Sequence, residues 1–73
     1  MDMRRLVGRN VRRLRLEQGL SQEQLAVRSG FSQQYISGLE RGRRNPTVVS
    51  LFELAQALEA VPVDLITPES DPA

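Results

Sequence analysis

The chain has 73 residues, ten Lys+Arg against nine Asp+Glu, and neither His nor Cys, so it reads as one small domain with no disulfide or thiolate metal site to staple it. The missing His and Cys remove the commonest general base, the commonest nucleophile pairing and most transition-metal ligands, which argues against an enzyme and leaves no metal or cofactor expected. Ten Leu, seven Val, two Ile and two Phe suffice for a compact fold, while no apolar run approaches the ~18 residues of a membrane span and no secretory core opens the chain, so a cytoplasmic protein is expected.

Helices are the only elements the pattern predicts. Asp2 caps a first helix over about residues 3–18, with Val7, Val11 and Leu14 on one apolar face and Gly19 ending it. Ser21-Gln22-Glu23-Gln24 has the form of a capping box, so a second helix starts at Gln22 and stops before Gly30. Ser32 caps a third, about Gln33 to Arg41, which Gly42 terminates. Thr47 caps a fourth, about residues 48–60, and Pro62 fits the first position of a short fifth carrying Leu65 and Ile66. Domain 1–66 is then followed by a disordered acidic, proline-containing tail, 67–73.

Charge divides along the chain. Residues 1–44 hold all ten basic groups, every one an Arg, against four acids, a net +6; residues 45–73 hold no basic group and five acids, a net −5. The first part therefore suits an anionic partner. Arginine, with its planar fork of donors, matches phosphate and guanine better than lysine does.

The informative block is residues 20–42, LSQEQLAVRSGFSQQYISGLERG. Leu25 and Ala26 face inward from one helix, Ile36 and Leu39 from the next, and the connection of Gly30, Phe31 and Ser32 is short enough to force a sharp corner. Ala26 is small where the helices cross, and Gly30 allows the positive φ the corner needs. This is a helix-turn-helix pattern. With Val11-x-x-Leu14-Arg15 before it and Arg43-Arg44-Asn45-Pro46-Thr47 after it, the block resembles the phage repressor and Cro-like helix-turn-helix family, the XRE family, over about residues 4–66.

That resemblance implies an all-α, compact five-helix bundle of the phage-repressor DNA-binding domain type, with helices 2 and 3 as the helix-turn-helix. It also implies a prokaryotic, nucleoid-associated transcriptional regulator, a repressor, that binds double-stranded DNA with the third helix in the major groove. Gln33, Gln34 and Ser37 are then the base-reading residues, since a glutamine amide matches adenine N6 and N7. Gln22, Tyr35, Arg43, Arg44 and Asn45 are the expected phosphate contacts. Arg15 and Glu40 match the family's structural ion pair. Gly38 departs from the family, whose members often carry a longer side chain there, and is expected to give shape rather than base reading. Each glutamine taken alone would be an ordinary solvated residue; their place at the start of two successive helices is what points them at DNA.

Leu51, Phe52, Val63, Leu65 and Ile66 are more apolar groups than a short chain covers easily, so part of helices 4 and 5 is expected to form a homodimer contact. The second reading is an antitoxin or restriction-modification controller with a protein partner on the acidic C-terminal part.

Overall fold

The computed structural model describes residues 2–68. They form five helices: α1 (Met3–Glu17), α2 (Gln22–Ser29), α3 (Gln33–Glu40), α4 (Val48–Ala57) and α5 (Pro62–Ile66), with no strand among the described residues. The fold is the expected all-α bundle. No helix among the described residues is long and apolar enough to cross a membrane.

Local chemistry accounts for the starts. Asp2 Oδ1 accepts from the Arg4 N–H at 3.1 Å. Ser21 Oγ accepts from the Gln24 N–H at 3.0 Å while the Gln24 side chain accepts from the Ser21 N–H at 2.8 Å, completing the capping box. Ser32 and Thr47 accept from the N–H groups of Tyr35 and Ser50, each at 3.0 Å. Gly30 sits at φ 82°, the left-handed turn that closes α2.

The ends differ slightly from expectation. α1 and α3 stop one residue early, with Gln18 and Arg41 as C-caps. The fourth helix, expected to reach residue 60, ends at Ala57. Glu59 takes φ 55° and the Ala60 N–H bonds back to the Ala55 carbonyl at 2.8 Å, so this turn adopts the usual glycine closure without a glycine. The Gln18 side chain donates to the Leu58 carbonyl at 3.2 Å, satisfying an end group from another part of the chain. Thr67, assigned above to the tail, is tied in: its carbonyl accepts from Asn10 at 3.1 Å and its hydroxyl donates to the Val63 carbonyl at 2.6 Å. The rest of the expected tail, 69–73, lies outside the described residues.

The principal contacts close into a ring, α1 on α3, α3 on α2, α2 on α4, α4 on α5 and α5 on α1. Val11, Leu25, Ile36, Leu39, Leu54, Leu58 and Leu65 fill its centre, fully buried, each worth roughly 1.5–3 kcal/mol against exposure. Where α1 crosses the end of α3 the backbones nearly touch. A Cβ on Gly8 would overlap the Leu39 carbonyl oxygen and lie 3.0 Å from that of Glu40, so a helix-weakening residue sits mid-helix because nothing larger fits.

Candidate nucleic-acid interface

α2 and the N-terminal half of α3 meet at the Gly30 corner, and α2 props α3 from behind through Leu25, Ala26, Ile36 and Leu39. The opposite side of α3 is left to solvent. There an open concavity of about 480 Å³ is lined by Gln22, Gln33, Gln34, Ser37, Gly38, Arg41, Arg43 and Arg44. Six of the residues singled out in the sequence for DNA contact thus share one surface, joined by Gly38 and by Arg41. Arg41 was not among the expected contacts. Its signal was an Arg at the end of the third helix, next to Gly42 and Arg43, where the C-cap turn points it outward.

The lining contains three guanidinium groups and three carboxamides and no carboxylate. The acid on α3, Glu40, is kept out of play. Arg15 grips it in a two-pronged pair, Nε to Oε2 at 2.7 Å and Nη2 to Oε1 at 3.0 Å, and Arg15 Nη1 donates to the Leu20 carbonyl at 2.8 Å. The Glu40 side chain is only 4% exposed. The hydrogen bonds that Arg15 donates to Glu40 raise the Arg15 pKa above its ordinary value against an opposing effect of burial, with the charge of Glu40 adding to the rise. Gln22 Nε2 also donates to Glu40 Oε1, at 3.1 Å, which fixes the amide at the start of α2 and leaves its second N–H for an acceptor outside the protein.

Two expected contacts stand apart. Tyr35 is half-buried and its ring stacks on Phe31, centroids 4.7 Å apart at 17°; the Arg44 guanidinium carbon lies 5.5 Å from the Tyr35 centroid. Asn45 is exposed but lines a separate, smaller cleft with Met3, Arg4, Val7, Pro46, Leu51 and Ile66. Among the described residues no group of acids could hold a metal ion.

Away from this surface, α4 and α5 leave large apolar side chains uncovered: Val48 at 82%, Val49 at 65% and Phe52 at 53% exposure, with Val61, Val63 and Ile66. Of the five apolar residues expected to exceed the available core, only Leu65 is fully buried and Leu51 is half-buried.

A helix-turn-helix family model matches residues 11–66 of the chain. The HTH-type transcriptional regulator y4dJ of Sinorhizobium fredii is 65% identical over 71 residues, covering 97% of this chain and 92% of its own. Control protein C.SmaI of Serratia marcescens is 43% identical over 67 residues, 92% of this chain and 80% of its own. Among solved structures, the hypothetical transcription factor NHTF from Neisseria superposes with a TM-score of 0.88 at 34% identity, over 92% of this chain and 77% of its own. The restriction-modification controller protein C.AhdI from Aeromonas hydrophila gives 0.81 at 44% identity, over 85% and 90%.

Proposed function

The chain belongs to the helix-turn-helix family and is a DNA-binding transcriptional regulator, and from that premise we propose that it acts as a repressor by laying α3 in the major groove of a two-fold operator. Its relatives are regulators rather than enzymes. The observation that carries the proposal is the carboxylate-free concavity of Gln22, Gln33, Gln34, Ser37, Arg41, Arg43 and Arg44 on the outer side of α3.

In this reading Gln33 and Gln34, on the first turn of α3, meet base edges and select A·T pairs through adenine N6 and N7, with Ser37 one turn on. Arg43, Arg41 and the remaining N–H of Gln22 take phosphates on either side of the groove, and Asn45 stands with Arg4 at the margin of the contact. A second copy docks through the exposed apolar side chains of α4 and α5, which sets two α3 helices about one duplex turn apart, about 10 base pairs between half-site centres. The names of the control-protein relatives support a controller of this DNA-reading kind.

Selection from a random DNA pool supplies the operator, and titration against salt tests the assignment. Arg43→Ala reduces the slope of log affinity on log salt by about 0.9 and weakens operator and random DNA alike. Gln33→Ala lowers affinity for the operator, by about 1–3 kcal/mol, and leaves random DNA almost unchanged. Equal losses on both DNAs for Gln33→Ala remove it from the base-reading set.

A further inference from the structure

Position 38 faces the groove side of α3, between Gln34 and Arg41 on the helix surface, yet carries no side chain. The space is not empty. A Cβ on Gly38 would stand 3.1 Å from Arg44 Nε, 3.4 Å from its Cγ and 3.8 Å from its Cδ. Arg44 leaves the loop after α3, runs back across Gly38, and brings its guanidinium to the Tyr35 ring, 5.5 Å from the centroid. It thus travels from the C-terminal end of α3 toward the turn that holds Gln33 and Gln34. Among the described residues no carboxylate lies within ion-pair distance of it.

We propose that Arg44 is a specificity-determining residue that reads a guanine edge, seated for that task by the gap at Gly38 and the ring of Tyr35; this rests on the binding mode set out above. A guanidinium held over an aromatic ring by cation–π attraction spends none of its N–H donors on that contact. Those are the donors that pair with guanine O6 and N7. The contact with the ring also limits the guanidinium's freedom before DNA arrives, so less order remains to be gained on binding. Arg43, its neighbour, has no such seat and keeps the phosphate role. Gly38 is here a positioning residue: even a methyl group would press on the Arg44 stem, and the side chain supplied from the loop replaces the one α3 lacks. The operator half-site therefore contains a G·C pair beside the A·T pairs met by the glutamines.

The test uses the full chain. An operator is first selected from a random-sequence DNA pool, and every base pair of one half-site is then replaced in turn in competition binding. Arg44→Lys, which keeps the charge but loses the planar fork, is expected to cut the preference for guanine at one position per half-site by about 5- to 150-fold, with random-DNA affinity and salt slope unchanged. Gly38→Ala, which improves helix propensity, weakens the same position, and adds nothing there in an Arg44→Lys background. If Arg44→Lys leaves every base preference intact while Arg44→Ala lowers the salt slope by about 0.9, Arg44 is a phosphate clamp and the proposal is overturned. A wild-type pool that yields no enriched sequence overturns the operator-reading proposal itself, and the Arg44 proposal with it.

Discussion

Asn10 is 2% exposed on a helix of a domain with little interior to spare. Its amide donates to the Leu65 carbonyl at 2.9 Å and to the Thr67 carbonyl at 3.1 Å, closing the C-terminal end of α5 against α1. Asn10→Ala leaves both carbonyls without that donor and costs about 1–3 kcal/mol, which in a domain this small lowers the melting temperature by about 4–8 °C per kcal/mol. Thermal melting by circular dichroism reads this directly, and a change within 1 °C would mean the two bonds add nothing. Arg15 makes a stricter case because its partner is almost wholly buried. Removing it strands the Glu40 charge, so Arg15→Ala is expected to cost about 3 kcal/mol or more. Weaker operator binding without a lower melting temperature would make Arg15 a DNA contact instead. The sign of its pH dependence follows from the raised pKa: stability contributed by a cation stabilised in the folded state is present below its unfolded pKa and is lost only as pH rises through the folded one. For an arginine that window is strongly alkaline, so its ionisation gives no dependence between pH 5 and 9.

Helix α3 is only eight residues long, too short to persist without support, and the support comes from its cap and from α2. Ser32→Ala and Thr47→Ala remove the same kind of bond, each accepted at 3.0 Å, from α3 and α4 respectively, at about 1 kcal/mol apiece. Their stability losses should match, but only Ser32→Ala loosens the turn bearing Gln33 and Gln34, and only it should lower operator affinity, by several-fold. Equal binding losses would show that reading does not depend on that turn. The element scale is also where the sequence is most readable. Ser21, Ser32 and Thr47 announce helix starts because a cap bonds within three residues, and Gly30 marks its corner because a positive φ is a local demand. What escapes is set by distant partners: the end of α4 is satisfied by Gln18, 40 residues away, on the Leu58 carbonyl, the carbonyls that Asn10 holds lie over 50 residues away, and Gly8 is required by a backbone on another helix. The same division runs through the site. Gln33, Gln34 and Arg43 were visible as polar groups in a spaced motif, whereas the path of Arg44 over Gly38 depends on where a loop returns.

Across the whole chain, basic and acidic groups divide between two parts. The arginines belong to residues 1–44, while Glu53, Glu59 and Asp64 accompany the uncovered Val48, Val49 and Phe52 on the part that holds α4 and α5. The carboxylate-free lining of α3 attracts DNA while the acids of α4 and α5 are repelled by it, which favours approach with α3 foremost. One copy of so small a surface reaches only one half-site, and the proposed pairing at α4 and α5 would double the contacts without any change in either copy. Phe52 is the probe for this because it is 53% exposed: Phe52→Asp removes little from the core but places a charge on α4 beside the exposed Val48 and Val49. Sedimentation should find the wild-type chain as a dimer at micromolar concentration and the variant as a monomer, with melting temperatures within a few degrees once the wild type is diluted. On DNA the variant should lose affinity for a palindrome of half-sites about 10 base pairs apart and keep its affinity for an isolated half-site. If wild-type protein sediments as a monomer both free and on the palindrome, the apolar face serves some other partner and the two-fold operator goes with it.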